Sequence, residues 1–230
     1  MTIPRDSERE PAVENPEAEE RVQFMLRLRA RGINDLRLLR ALERAPRALF
    51  MPPRYADIAS RDIALPIGCG QTAPPPSVIA AMIQALDPAP GSRVLEIGTG
   101  AGYATALLAQ LAREVVSLER HQTLALEAAA RLTAFGLDNV RADWADGLAL
   151  TPAAGLYDRI LVHAVIEPPI PALTGLLVEG GALVAVVADD DSGEQRIVRL
   201  TRRPGGEIAA SAQGSARTFM PLTGGLARAL

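Results

Sequence analysis

Apolar and polar positions follow two rhythms along this chain. In the first third the period is helical. Val22, Met25 and Leu26 recur at helical spacing from Glu20, and Gly32 ends that segment. Asn34 or Asp35 caps a second helix carrying Leu36, Leu39 and Leu42, which stops before Pro46. Pro76 suits the first turn of a third helix, in which Val78, Ile79, Met82, Ile83 and Leu86 form one apolar face, closed by Asp87-Pro88. From residue 93 the pattern becomes short apolar runs separated by helical stretches. It predicts strands over 93–97, 114–119, near 139–142, 158–163 and 182–187, with helices over 102–112 and 121–135 and a short one over 169–177. Residues 195–201 and a stretch near 218–222 read as antiparallel strands joined through Pro204-Gly205-Gly206. This alternation, closed by a hairpin, predicts a doubly wound α/β sheet. Ligands of such sheets sit beyond the carboxyl ends of the strands, so Glu96, Glu119, Asp146 and His163 are expected around one crevice.

The chemistry concentrates in the first of these βα units. Val94-Leu95-Glu96-Ile97 runs into Gly98-Thr99-Gly100-Ala101-Gly102-Tyr103, and Leu107, Leu108 and Leu111 follow at helical spacing. A buried strand, a glycine turn and a helix N-terminus let a ligand approach the backbone and favour an anionic group there. The dinucleotide fingerprint needs a third glycine where Tyr103 stands. The next predicted strand ends on Glu119, a carboxylate able to accept from both hydroxyls of a ribose, in NAD or in S-adenosylmethionine alike.

Composition narrows the choice. Hydrophobic residues make up 48% of the 230 and aromatics only 3%, so the core must be aliphatic. Formal net charge is -3 and no basic block tracks a nucleic-acid backbone, which argues against DNA or RNA as the main partner. Cys69 is the sole cysteine, which excludes an internal disulfide and a cysteine-based zinc cluster. The absence of a long apolar run or of a charged-then-apolar leader argues for a cytoplasmic protein that does not enter a membrane; a monomer is expected. Residues 1–20 hold seven acids and three prolines and read as a disordered acidic tail; 21–64 read as an N-terminal helical segment and 65–230 as the ligand-binding domain. Met51 to Pro76 is loop-rich, and loops of that length inside a domain are usually functional.

Several stretches together resemble one family, the protein-L-isoaspartate O-methyltransferases, over roughly residues 21–223. They are Gly32-Ile33-Asn34-Asp35, Ala45-Pro46-Arg47 with Phe50, Asp62 with Leu65-Pro66-Ile67-Gly68-Cys69-Gly70-Gln71-Thr72, the glycine turn, Ala145-Asp146-Gly147 and Met220-Pro221-Leu222-Thr223. The resemblance implies a seven-stranded Rossmann-like methyltransferase sheet with an N-terminal helical segment, and S-adenosyl-L-methionine as cofactor. It implies methyl transfer to the carboxylate of isoaspartyl residues in damaged proteins, as a repair reaction. Cofactor binding then falls to Gln71, Thr72, Glu96, Gly98, Thr99, Gly100, Gly102, Glu119, Arg120, Asp146, Gly147 and Thr223, and the acceptor side to Thr72, Ala73 and Pro74. No metal is implied. A carboxylate is ionised at neutral pH and needs no general base, so catalysis is chiefly alignment.

One position departs from the family pattern. Where the family has a loop serine this chain has Pro74, which offers neither a hydroxyl nor a backbone N–H. That keeps open a different carboxylate acceptor, or a module that binds cofactor without transferring its methyl group. Cys69 reads as a small loop residue. His163, at the end of the fourth strand, is either a ligand contact or a satisfied buried group. Trp144 either stacks on an adenine or packs the sheet edge.

Overall fold

The computed structural model describes residues 16–168, 170–189, 192–216 and 219–227. The chain opens with two helices, α1 (Pro16–Ala30) and α2 (Leu36–Arg44). Helix α1 starts inside the stretch expected to be a disordered tail; residues 1–15 lie outside the described residues. Of its expected apolar positions Val22 and Leu26 are exposed and Met25 is half-buried against the core, where Leu28 is fully buried and Phe24 also packs. Gly32, at φ +85°, makes the turn into α2. Asp35 caps α2 by accepting from the Arg37 N–H, and Leu38, Leu39, Ala41 and Leu42 face inward.

The expected loop between residues 51 and 76 holds more order than its prolines and glycines suggest. A short 3-10 turn over Pro53–Ile58 leads into a hairpin of β1 (Leu65–Pro66) and β2 (Thr72–Ala73). Its tip is closed by Ile67 N–H donating to Gln71 O and Gln71 N–H donating to Gly68 O, with Cys69 and Gly70 at positive φ. Such short strands are invisible to a period-2 reading.

Helix α3 (Pro76–Leu86) begins on its proline, as expected, and ends on Asp87 at φ +50°. Then follow β3 (Arg93–Ile97), α4 (Tyr103–Ala109), β4 (Glu114–Glu119), α5 (Gln122–Ala134), β5 (Val140–Trp144), β6 (Tyr157–Val165), α6 (Pro171–Thr174), β7 (Leu177–Ala188), β8 (Gln195–Arg202) and β9 (Ile208–Ala216). The main sheet has seven strands in the order β5-β4-β3-β6-β7-β8-β9. Strands β5, β4, β3, β6 and β7 run parallel, and β8 and β9 add antiparallel.

One expectation changes here. The partner of β8 is β9, the residues directly after the Pro204–Gly206 turn, and not the stretch near 218–222. Strand β9 is rich in Ala, Ser and Gly, so it lacks the β-branched and aromatic signal that marks a strand. Thr218 lies outside the described residues. Of the rest, Pro221 makes a single bridge to Val165.

Buried on both faces, the central strands carry side chains alternately to two cores. Val94 and Val115 point toward a core shared with α2, α3, α4 and α5; Leu95, Ile97, Val116 and Leu118 point toward one shared with α6. Glu96 and Ser117 alternate with these residues and therefore enter the first core, where Thr105 of α4 meets them. The strand order reverses between β3 and β6, which opens a crevice at their carboxyl ends.

Candidate active site

The glycine turn fills that crevice. Gly98, Gly100 and Gly102 all take positive φ, at +93°, +55° and +91°, a region that other residues enter at a cost. Space reinforces the choice at Gly98, where a Cβ would lie 3.3 Å from His163 Cβ. The turn hangs on β4, where Gly98 N–H donates to Leu118 O at 2.8 Å.

Glu119, 5% exposed at the end of β4, holds the turn from the side. Its Oε2 accepts from Gly100 N–H at 2.9 Å and its Oε1 from His121 N–H at 3.0 Å. A carboxylate offers about four lone-pair sites. Two remain for other donors.

The cleft beside this turn is also lined by Ile67, Gln71, Thr72, Ala73 and Pro74 of the hairpin segment, by Thr99, Ala101, Tyr103 and Ala104, and by His163, Phe219 and Met220. The hairpin is held from beneath by Arg47. This guanidinium is buried and donates to the carbonyls of Ala59, Arg61, Ile63, Ala73 and Pro74 at 3.0–3.5 Å. Burial lowers its pKa to about 10, against the raising pull of Tyr103 and Asp62. Tyr103 is itself buried, which pushes its phenol up beyond the ordinary range. Asp62 accepts from the N–H and hydroxyl of Ser77 at 3.0 and 2.9 Å, tying the hairpin to the start of α3.

The expected site residues therefore divide. Gln71, Thr72, Ala73, Pro74, Gly98, Thr99, Gly100 and Glu119 meet at one cleft. Glu96 lies fully buried below it, accepting from Thr105 and Ser117 and paired with His163. Gly102 packs against Ala128 of α5. Asp146, Gly147, Arg120 and Thr223 stand apart from the cleft wall. Asp146 Oδ2 accepts from Gly225 N–H at 2.7 Å, Arg120 Nε donates to Gly225 O at 3.0 Å, and Ala227 N–H donates to Arg120 O at 3.0 Å. The C-terminal segment is thus strapped across the ends of β4 and β5. Gly147 packs on Ile97, where a Cβ would come within 2.9 Å. Thr223 is exposed, with its hydroxyl on Pro221 O. Trp144 is 42% exposed on the edge strand β5 and donates to Arg120 O, which favours the edge-packing alternative.

Sequence reasoning assigned no role to Arg47, Phe219 or Met220. Arg47 was visible only as part of a motif, and nothing in the sequence says that an arginine is buried under a loop 26 residues away. Phe219 and Met220 reach the cleft because Met220 O and Leu222 N–H pair with Val165, while the Gln195 side chain clamps Phe219 at both its N–H and its carbonyl.

Comparison with known proteins decides the family. Residues 19–227 match the protein-L-isoaspartate(D-aspartate) O-methyltransferase family (PCMT). The chain belongs to that family. It is 43% identical over 220 residues to the protein-L-isoaspartate O-methyltransferase of Nitrobacter winogradskyi, covering 96% of this chain and all of that protein. With the enzyme of that name from Rhodopseudomonas palustris strain BisA53 it shares 44% over 211 residues, 92% of this chain and 97% of that one. Among solved structures, a Plasmodium falciparum PCMT in complex with S-adenosyl-L-homocysteine superposes with a TM-score of 0.75 at 22% identity, over 87% of this chain and 97% of that one, a likeness of fold. A protein-L-isoaspartate O-methyltransferase superposes at 0.76 with 25% identity, over 90% of this chain and 67% of that one.

Proposed function

We propose that the cleft between the glycine turn and the Thr72–Pro74 wall is where this family member joins its two substrates. The chain is an S-adenosylmethionine-dependent O-methyltransferase of the isoaspartate class. Three features of the cleft suit that cofactor. The positive-φ glycines bring bare backbone to the ligand, Glu119 keeps two lone-pair sites for the ribose hydroxyls, and the helix α4 N-terminus favours a carboxylate. Gly98, Thr99 and Gly100 would hold the amino-acid portion, and Gln71 and Thr72 the near wall. Gly102 and Glu96 shape and support the turn from behind. Asp146, Gly147, Arg120 and Thr223 would bound the adenine side through the C-terminal strap.

Bound S-adenosylmethionine would supply an activated methyl group to an acceptor oxygen, its sulfur keeping the bonding electrons. The chain's own task is alignment: Thr72, Ala73 and Pro74 form the wall against which the isoaspartyl carboxylate lies in line. Arg47 fixes that wall by binding the Ala73 and Pro74 carbonyls.

The observation that carries this reading is that one cleft has the glycine turn and Glu119 on one side and Thr72–Pro74 on the other. The test is methyl transfer to an isoaspartyl peptide beside its aspartyl twin, with transfer to the first alone expected. A second reading, another carboxylate acceptor, is favoured by Pro74 and predicts cofactor binding with transfer to neither peptide. In either case we take 21–64 as the helical segment and 65–230 as the catalytic domain. We take the working form to be a cytoplasmic monomer acting on isoaspartyl proteins, without nucleic acid or membrane. Among the described residues no helix is long and apolar enough to cross a membrane.

A further inference from the structure

Helix α3 starts on a residue that cannot cap it. Pro75 stands at its N-cap position with φ −54° and ψ 144°, and makes no side-chain hydrogen bond to the first turn. The free N–H groups of that turn need an acceptor from elsewhere. Asp62 supplies it from 15 residues upstream. Its Oδ1 accepts from Ser77 N–H at 3.0 Å and its Oδ2 from the Ser77 hydroxyl at 2.9 Å. A carboxylate is also the charge that a helix N-terminus favours. Arg31, just past the end of α1, closes the cluster by pairing with Asp62 and donating to Ser77 Oγ at 2.7 Å. The Asp62 side chain is 12% exposed and Ser77 is buried, so water competes little for these contacts.

Three prolines join this anchor to the cleft. Pro74, Pro75 and Pro76 each have a fixed φ. Ala73, Pro74 and Pro75 each precede a proline, which holds ψ in the extended range. Such a run rises about 3 Å per residue and does not bend freely. Pro74 therefore stands at one end of a short rod and Ser77 at the other. The Pro74 end is attached as well. Arg47 donates to Ala73 O and Pro74 O, and also to Arg61 O and Ile63 O on either side of Asp62. One attachment locates a stiff segment; the second fixes its direction. Ile79, in the first turn of α3, lines the cleft beside Thr72, Ala73 and Pro74, so the same anchor places it too.

We propose that Asp62 is a positioning residue for methyl transfer. By holding Ser77 it sets the direction of the Pro74–Pro76 rod, and hence where the acceptor wall stands against the glycine turn. The inference rests on the acceptor lying against Thr72–Pro74. Asp62 is not part of the cleft lining and acts through the wall it holds. Alignment counts most in the transition state, so its loss should fall on kcat more than on binding.

The test is Asp62→Ala, assayed for kcat and KM on an isoaspartyl peptide at saturating S-adenosylmethionine. Calorimetry measures peptide binding in the presence of S-adenosylhomocysteine, and S-adenosylhomocysteine binding alone. The kcat should fall roughly tenfold to a hundredfold, with both dissociation constants within about threefold of wild type. Asp62→Asn keeps an oxygen for the Ser77 N–H and should recover most of kcat. Pro75→Gly puts a swivel into the rod. It should lower kcat by itself, and adding Asp62→Ala should then lower it no more than about twofold further. A role in stability alone predicts a lower Tm with kcat of the folded protein unchanged. Where Asp62→Ala does not fold, Ser77→Ala, which loses only the hydroxyl contact, reads the same coupling through a smaller fall in kcat that disappears in the Pro75→Gly background. Unchanged kcat in a folded Asp62→Ala protein overturns the proposal. So does a fall of the same size with and without Pro75, or a matching loss of S-adenosylhomocysteine affinity. Those outcomes leave wild-type transfer to the isoaspartyl peptide, and with it the functional reading, intact. Wild type that does not methylate that peptide overturns the acceptor reading and the proposal together.

Discussion

Replacing Glu119 by alanine tests whether this strand-end carboxylate holds the ribose. Its two oxygens each take one backbone N–H, from Gly100 at 2.9 Å and from His121 at 3.0 Å, and the residue is 5% exposed. The two remaining lone-pair sites match the two hydroxyls of a ribose. Hydrogen bonds to a charged acceptor contribute about 1.5–3 kcal/mol each, and water recovers part of that in the variant. Glu119→Ala should therefore weaken S-adenosylhomocysteine binding by about 1.5–3 kcal/mol, roughly ten- to a hundredfold in Kd. The freed N–H groups of Gly100 and His121 lie near the cleft, where water can reach them, so the fold should persist with a modest fall in Tm. Glu119→Gln gives a second reading. Its amide nitrogen must face one of the two N–H donors, so it should bind almost as weakly as the alanine variant. Calorimetry with S-adenosylhomocysteine, on protein shown to be folded by circular dichroism, measures both. An alanine variant that binds within about twofold of wild type would refute the ribose role and leave Glu119 only as the strut of the glycine turn.

The same geometry makes three further predictions. Gly100→Val should abolish cofactor binding, because φ of +55° is strained for valine and its side chain would press on Ile67 and fill the cleft; unchanged affinity in a folded variant would move the site elsewhere. Pro74→Ser should raise the steady-state rate on an isoaspartyl peptide by up to about tenfold with cofactor affinity unchanged. Arg47 holds the carbonyls on either side of the residue-74 nitrogen, so loss of the proline ring should not loosen the wall, and a slower serine enzyme would show that the ring itself was needed. Arg47→Leu strips those carbonyls of their donor and should cost about 3 kcal/mol of stability, lowering Tm by roughly 6–12 °C; a Tm within a degree or two of wild type would mean that water replaces the guanidinium.

The glycine-turn side of the cleft was legible because its parts are contiguous. A strand, three glycines and a helix must be neighbours in sequence to make a turn that a ligand can approach, and the second acid follows one βα unit later, so Gly98, Gly100, Gly102 and Glu119 could be picked out by spacing. Asp35 as a cap and Pro76 as a first-turn residue were legible for the same reason, since each acts on backbone within a few positions. Strand β9 was not, because Ala, Ser and Gly carry little strand preference and its pairing with β8 is set by the turn before it.

The sequence by itself determined the doubly wound α/β class, the place of the glycine turn and the aliphatic character of the core, all of which rest on period and local backbone preference. Tertiary structure decided what happens at a distance. Only the folded chain brings Arg47 under Ala73 and Pro74, straps Gly225 to Asp146 and Arg120, and sets Met220 beside the cleft through Val165. It also turned Glu96 from an expected cleft acid into a buried partner of His163, 67 residues away. The α/β alternation put both residues at one crevice, but the register that sets Glu96 opposite Leu161 and lets its carboxylate meet His163 below the turn is not recorded in spacing along the chain.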